Sequence, residues 1–171
     1  MLHALPAALE PVPQDLLPFI AGDHSTWLRT DSPDTGSAAD WYGKHGLDTG
    51  YLQSAPHIRW WRSVGGVSGA DLMTVTWTHA EDVDDGRGTL PTTDFVAAVS
   101  NLHRDLFAAM DVRVTTLEAT GPPPSVEIDL SHLRHEHQDR ATWLRRALDR
   151  ACDTDWTAVR GARALAPVLA P

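Results

Sequence analysis

The sequence contains one cysteine, Cys152, one lysine, Lys44, and no long apolar run. A single cysteine excludes an intrachain disulfide framework and a zinc ribbon built on cysteines, and it is typical of a reducing compartment. The proline-rich residues 1–22 lack a basic start and an unbroken apolar stretch, so they do not resemble a signal peptide. No stretch reaches the roughly 20 apolar residues of a membrane-spanning helix. We therefore expect a cytoplasmic protein without membrane contact.

Positive charge is also scarce, because 23 acidic residues stand against 14 basic ones and give a net charge of −9. Binding to nucleic acid requires a concentrated basic surface, and no basic run supplies one. We therefore expect no nucleic-acid partner. The basic residues are almost all arginine, a bias typical of GC-rich bacterial genomes.

The sequence does contain one stretch rich in strand-forming residues, HIRWWRSVGGVSGADLMTVTWTH, at residues 57–79. Apolar residues alternate with threonine in its second half, which is the period of a half-buried strand, and the glycines at its centre predict a hairpin. The apolar face of this hairpin would carry Ile58, Trp60, Met73, Val75 and Trp77.

Apolar residues at steps of three and four predict helices in the second half of the chain. The first begins at Thr92, Thr93 or Asp94 and ends before Gly121. Its apolar stripe contains Phe95, Val99, Leu102, Leu106, Met110, Val114 and Leu117. A second helix runs from about Ser131 to Cys152, and a third from Trp156 to about Leu165. The stripe of the second contains Leu133, His137, Ala141, Leu144 and Leu148, with His137 interpreted as a hydrogen-bonded core histidine.

These elements predict an α+β fold, in which a small antiparallel β-meander packs against the two long helices. The strands of the meander are expected at 57–63, 71–79, 87–90 and 125–129. Residues 1–56 are expected to form an irregular N-terminal arm that wraps an α+β core at 57–171, the whole being a single domain. The arm contains two short helices, at 14–20 and 37–44, and its anchors are expected to be Trp27, Trp41, Tyr42 and Tyr51.

The densest ionisable cluster lies on the second predicted helix, where four side chains fall within an arc of about 100°. They are His132, His135, Glu136 and Asp139. Imidazole and carboxylate ligands suit a divalent transition metal, with His57 or His79 completing the site. Without a metal, His135 and Asp139 are the catalytic candidates, as a base and its orienting partner. The alternative is a solvated helix face with ordinary i,i+4 charge pairs and no cofactor.

Two further surfaces are candidates for binding. Trp143 falls on the same polar arc, and an indole facing solvent predicts a covering arm, subunit or partner. On the hairpin, Arg59, Trp61 and Arg62 combine the residue types that anchor protein interfaces and stack on flat ligands. The alternative for the hairpin is an internal stack of tryptophan and arginine beneath the N-terminal arm.

Four stretches of the sequence resemble an actinobacterial protein family of unknown function. They are AALEPVPQDL, LDTGYLQSAPHIRWWRS, FVAAVSNLHRDLFAAMDVRV and VEIDLSHLRHEHQDRATWLRRAL. The resemblance implies a bacterial cytosolic origin and assigns no site. Members of that family usually carry an additional aromatic-rich segment upstream, so we expect this chain to begin late relative to them.

Together these features favour a non-catalytic binding protein, such as an inhibitor or an immunity-type partner of another protein. A protein partner or a homo-oligomer is expected, and a small-molecule ligand is compatible with the same surfaces. The alternative is a small enzyme of bacterial specialised metabolism that uses the His/carboxylate cluster, with or without a metal.

Overall fold

The structure is a computed structural model that describes residues 3–22, 33–47, 56–65, 69–78 and 85–165, with only the backbone described at 33, 34 and 163–165. The chain divides into two compact units. Unit 1 comprises His3–Thr92 and Ala151–Pro171, and unit 2 comprises Thr93–Arg150. The division that we predicted at residues 56 and 57 does not coincide with these units, because unit 1 takes residues from both sides of it.

Unit 1 contains a four-stranded antiparallel sheet in the order β1-β2-β3-β4, which is the predicted meander and establishes the α+β class. Its strands are β1 (Gly46–Leu47), β2 (His57–Gly65), β3 (Ala70–Thr78) and β4 (Gly86–Pro91). Three of the four predicted strands are therefore confirmed. A strand at 125–129 is wrong: Val126 donates its backbone N–H to Pro123, and these residues join two helices. The short strand β1 was not predicted.

The described residues of unit 1 also form four helices, which precede and follow the strands in the sequence. They are α1 (Leu5–Leu9), α2 (Leu17–Ala21), α3 (Pro33–Lys44) and α7 (Trp156–Leu165), the last numbered after the three helices of unit 2. A short 3-10 turn, Gln14–Leu16, precedes α2. The two short helices predicted before residue 57 are present, α1 is additional, and the third predicted helix is confirmed as α7.

The outer edge of β2 is paired along most of its length. Arg59 and Ile58 lie opposite β1, the N–H of Trp60 bonds to His45, and the N–H of Val12 bonds to Arg62. A covered edge is protected from pairing with another chain. The segment before residue 57 is thus hydrogen-bonded into the sheet.

The core of unit 1 lies on the sheet face that carries Trp61. Its buried members are Val12, Leu16, Ile20, Ala38, Trp41, Tyr42, Trp61, Val159 and Ala162. Phe19 stacks on Trp41 with ring centroids 6.3 Å apart, and Trp156 meets Trp41 edge to face at 5.8 Å. Trp41 and Tyr42 are therefore confirmed as anchors, whereas Trp27 and Tyr51 lie outside the described residues.

Both faces of the sheet are buried at its centre. Trp60 and Met73 are buried on the predicted apolar face, but Trp61 and Thr74 are buried on the other. Helices α2, α3 and α7 supply the apolar residues that cover Trp61 on this second face.

A buried histidine, His45, links helix α3 to the sheet. Its Nδ1 lies 2.8 Å from the carbonyl oxygen of Trp41, so this nitrogen carries the proton and donates. Burial lowers the pKa of His45 from 6.5 to about 4, although the carbonyls of Trp41 and Ala7 act in the opposite direction. The imidazole is therefore neutral at physiological pH.

Unit 2 consists of three helices. They are α4 (Thr92–Thr120), whose first residue belongs to unit 1, α5 (Leu130–Arg140) and α6 (Trp143–Asp149). The predicted limits of the long helix are confirmed, and Gly121, with φ of 78°, lies where it ends. The prediction of one helix from Ser131 to Cys152 is wrong, because the chain leaves the helical hydrogen-bond pattern at residues 141 and 142 and ends α6 at Asp149.

The predicted apolar stripes match the buried residues of unit 2 only in part. Phe95, Val99 and Val114 are buried on α4, but Leu102 and Leu106 are more than half exposed. On α5 His137 is buried as predicted. The break after Arg140 shifts the helical periodicity of the residues that follow, so that Ala147 is buried on α6 and Leu148 is exposed. Within the described residues, none of the helices has the length and apolar composition that a membrane crossing requires.

Candidate functional site

The predicted His/carboxylate cluster lies on α5, whose first turn is capped by the carboxylate of Asp129 accepting from the N–H of His132 at 2.9 Å. Nε2 of His132 lies 3.4 Å from Oε1 of Glu136. The other carboxylate oxygen of Glu136 accepts from Arg140 at 2.9 Å. Both are i,i+4 pairs of the kind expected on a solvated helix face.

Asp139 makes different contacts from the rest of the cluster. The indole N–H of Trp143 donates to one of its oxygens at 2.8 Å, and Arg146 donates to the other at 2.9 Å. The hydrogen bond from Trp143 and the charge of Arg146 hold the pKa of Asp139 below its usual range. Asp139 is therefore an ionised acceptor that positions Trp143.

The four predicted metal ligands do not converge on one point. Among the residues that the structure describes, no three His, Cys, Asp or Glu side chains are arranged to hold a metal ion. Of the proposed additional ligands, His57 lies on β2 in unit 1 and His79 lies outside the described residues. The metal-site prediction at His132, His135, Glu136 and Asp139 therefore has no geometric support.

Trp143 is 39% exposed, in agreement with its predicted place on the polar arc. It opens α6 directly after the two-residue break, and the guanidinium of Arg140 lies 5.8 Å from its ring centroid. The hydrogen bond to Asp139 and the cation of Arg140 thus hold an accessible indole in one orientation. We call Leu106, Arg140, Trp143 and Arg146 the Trp143 surface.

Beside Trp143 lies a cavity of about 170 Å³ with almost wholly apolar walls. It is formed entirely within unit 2, and we call it the His137 cavity. Its walls include Leu106, Phe107, Met110, His137, Arg140 and Trp143. The ring of His137 stacks on Phe107 with centroids 4.1 Å apart and planes 12° from parallel, and His103 stacks on Phe107 at 6.3 Å.

His137 is only 1% exposed, which confirms that it is a core residue, but the prediction of hydrogen bonds is wrong. Neither of its ring nitrogens has a hydrogen-bond partner among the described residues. Nε2 lies 3.5 Å from Oδ1 of Asp111, which already accepts from Arg134 at 2.6 Å. An unsatisfied buried polar group costs about 1–3 kcal/mol.

Arg134 is the residue that joins α5 to α4. It donates to both oxygens of Glu118 and to Asp111, and this pairing raises the pKa of Arg134 and holds that of Glu118 below its usual range. The fork of an arginine matches a carboxylate in two parallel hydrogen bonds. The two helices therefore meet through charges and stacked rings.

The three hairpin candidates, Arg59, Trp61 and Arg62, lie in three different environments. Trp61 is 2% exposed, and Arg87 lies 5.6 Å from its ring, so the structure favours the internal-packing alternative over a docking role. Arg62 points to the other face, where it donates to both oxygens of Asp71 and to the carbonyl of Leu9. The hydrogen bonds that Asp71 accepts from Arg62 and from Thr92 hold the pKa of Asp71 below its usual range.

Arg59 has a third environment. Its guanidinium lies 3.8 Å above the ring of Tyr42, and it lines an open cleft of about 720 Å³ in unit 1 together with His57 and Arg87. Clefts of this size are typical of ligand sites. Arg59 therefore borders a cleft on the sheet of unit 1.

A family model described as Family of unknown function (DUF5984) matches residues 1–162. The chain belongs to this family. No curated protein and no solved structure matches the chain.

The match to DUF5984 takes in every candidate residue above and carries no activity to transfer to them. Within this DUF5984 chain, the residues that we did not predict are His103, Phe107 and Met110 as walls of a cavity. These three residues are four and three positions apart, so they lie on one side of α4. That side contacts His137 through Phe107, whereas the predicted apolar stripe was centred on Leu106.

Proposed function

We propose that this protein is a non-catalytic binding protein of the inhibitor or immunity type, and that it binds another protein through the Trp143 surface. The supporting observation is the accessible indole of Trp143, fixed by Asp139 and flanked by Arg140 and Arg146. Tryptophan and arginine are the residue types most enriched among interface hot spots. An indole that is already fixed loses little conformational entropy when a partner covers it.

The apolar surroundings of Trp143 support the same function. Leu106 is 57% exposed and lines the same cavity wall as Trp143. Exposed apolar side chains grouped beside polar ones mark protein interaction sites more often than scattered ones do. The Trp143 surface thus offers an apolar centre with a charged rim.

No observation among the described residues favours the enzyme alternative. His135 is exposed, and Asp139 already has hydrogen bonds from Trp143 and Arg146. A general base needs a free lone pair directed at the substrate. The catalytic roles of His135 and Asp139 stay predictions.

Two further expectations belong to this proposal. Residence in the cytoplasm is supported by the single cysteine, and an actinobacterial source is supported by the preference for arginine over lysine.

The test begins with the tagged full chain in its native host, from which a co-purifying protein is identified and then purified alone. Calorimetry of the purified pair would measure affinity for the wild type, Trp143→Ala and Val112→Ala. Val112 is an exposed apolar residue of the same unit outside the Trp143 surface and serves as the matched control. We expect Trp143→Ala to weaken binding by about 30-fold or more, and Val112→Ala by about twofold at most.

Equal affinity of the wild type and Trp143→Ala would contradict the proposed surface. Self-association of the purified chain that Trp143→Ala abolishes would show that the partner is a second copy. Sedimentation equilibrium on both variants distinguishes this result from binding to a different protein.

A further inference from the structure

We propose that the open cleft of unit 1 binds a small molecule through a carboxylate or phosphate group, which Arg59 and Arg87 hold above the hydroxyl of Thr76. We call these three residues the Arg59 row. This inference goes beyond the proposed function, because the cleft and the Trp143 surface belong to different units. It rests on the register of the sheet, the charges of the cleft walls and the position of Arg59.

The register of the sheet places the Arg59 row on one face. Arg59 on β2 and Arg87 on β4 both lie directly opposite Thr76 on β3, and all three residues line the cleft. Residues directly opposite each other project from the same face of a sheet. Neighbouring strands are about 4.8 Å apart, so the Cα atoms of the two arginines are about 10 Å apart with Thr76 between them. Both long side chains can therefore reach one group above Thr76.

Strand β3 contributes no charge to this face of the sheet. Its side chains there are those of one leucine and three threonines, Leu72, Thr74, Thr76 and Thr78. On the opposite face, by contrast, Arg62 is neutralised by Asp71 through two hydrogen bonds. The position between Arg59 and Arg87 therefore lacks a carboxylate of the sheet and is suited to an anion from outside.

Positive charge predominates in the described walls of the cleft. They contain the two arginines and His57 against one carboxylate, that of Asp85. The net charge of the chain is −9, so the cleft has a charge opposite in sign to that of the whole protein. The hydroxyl of Thr76 is half-buried and has no hydrogen-bond partner among the described residues, so it can pair with an anionic oxygen.

Arg59 is held in position by an aromatic ring. Its guanidinium lies 3.8 Å above the ring of Tyr42, whose hydroxyl donates to the carbonyl of Gly22 at 3.0 Å. Stacking uses the flat face of a guanidinium, and its N–H donors lie around the edge, where they match two oxygens of a carboxylate or phosphate. A side chain that is already positioned loses little conformational entropy when it binds an anion.

The test titrates the purified full chain with inorganic phosphate, with acetate and with sodium chloride at matched ionic strength. ¹H–¹⁵N NMR follows the Nε–H signals of Arg59 and Arg87, and Arg62 on the opposite face serves as the internal control. We expect an oxyanion to shift both cleft signals and to leave that of Arg62 in place, whereas sodium chloride shifts none of them. The tighter of the two oxyanions identifies the ligand group as a phosphate or a carboxylate.

Matched variants assign the binding to the Arg59 row. Arg87→Gln removes one charge and should weaken binding of the oxyanion about tenfold. Thr76→Val replaces the hydroxyl by a methyl group of similar size and should weaken it about fivefold. Arg113→Gln makes the same change as Arg87→Gln at an exposed arginine of unit 2, and it should alter binding by less than about twofold.

Equal shifts with sodium chloride and with the oxyanions would overturn the proposal, because they would report screening of charge alone. Undiminished binding in Arg87→Gln would overturn it too, as would the absence of any shift with either oxyanion in a chain that circular dichroism shows to be folded. A protein partner that depends on Trp143, found without oxyanion binding, would leave the proposed function standing and remove only this inference.

Discussion

Unit 1 buries Trp41, Trp60 and Trp61, whereas unit 2 leaves its one tryptophan, Trp143, accessible. Unit 1 also covers the edge of β2 with backbone hydrogen bonds. Unit 2 instead exposes Leu106 beside a cavity and joins α4 to α5 through Arg134. Apolar content alone therefore does not locate a core, since similar residues stabilise one unit and form an accessible surface in the other.

Two buried histidines, one in the described part of each unit, show the same contrast. His45 in unit 1 donates one nitrogen to the carbonyl of Trp41, whereas His137 in unit 2 has neither nitrogen paired among the described residues. A partly satisfied group fits a structural role. His137 instead has one nitrogen 3.5 Å from the carboxylate of Asp111, at the contact between α4 and α5.

The strongest test of the comparison replaces one tryptophan in each unit. Trp61→Ala removes a fully buried indole and should lower the free energy of unfolding by about 3–5 kcal/mol. Trp143→Ala removes an accessible indole and one hydrogen bond and should lower it by about 1 kcal/mol. Urea denaturation followed by far-UV circular dichroism measures both. Equal losses would break the contrast between a core and a surface.

The second test concerns the pH dependence that His45 gives unit 1. Its pKa is about 4 in the folded chain, below the 6.5 of an unperturbed histidine, so the folded state binds fewer protons between these values. Stability should therefore be complete above pH 6.5 and fall as the pH drops toward 4, by on the order of 3 kcal/mol.

Urea midpoints measured from pH 7 to pH 4 follow this loss. His45→Gln should flatten the curve in that window, and His135→Gln, at an exposed position, should leave it as in the wild type. An unchanged slope in His45→Gln would show that another group is responsible.

The smallest expected effect concerns His137 in unit 2. His137→Phe removes two unpaired buried nitrogens while keeping the stack on Phe107, so it should raise the free energy of unfolding by about 1 kcal/mol. His135→Phe should change it by less than about 0.5 kcal/mol, because that position is exposed. Thermal unfolding of the three chains compares them. A loss of stability in His137→Phe would mean that the imidazole has a partner after all.

The candidate site was predictable where it depends on one helix and unpredictable where it depends on two. The periodicity of α5 and the following residues placed Asp139 and Trp143 on one side, and their hydrogen bond confirms that placement. The cavity depends on how α4 meets α5. The choice of Phe107 over Leu106 as the inward side chain involves stacking against His137, which lies 30 residues away in the sequence.

The sequence by itself determined strands β2 and β3, the limits of α4 and α7, and the exposure of Trp143. These features follow from local rules, because alternation, apolar steps and glycine or proline stops act between neighbouring residues. Tertiary packing set the burial of Trp61, the break after Arg140 and the surroundings of His137. Each of these depends on groups distant in the chain, whose packing outweighs local preference.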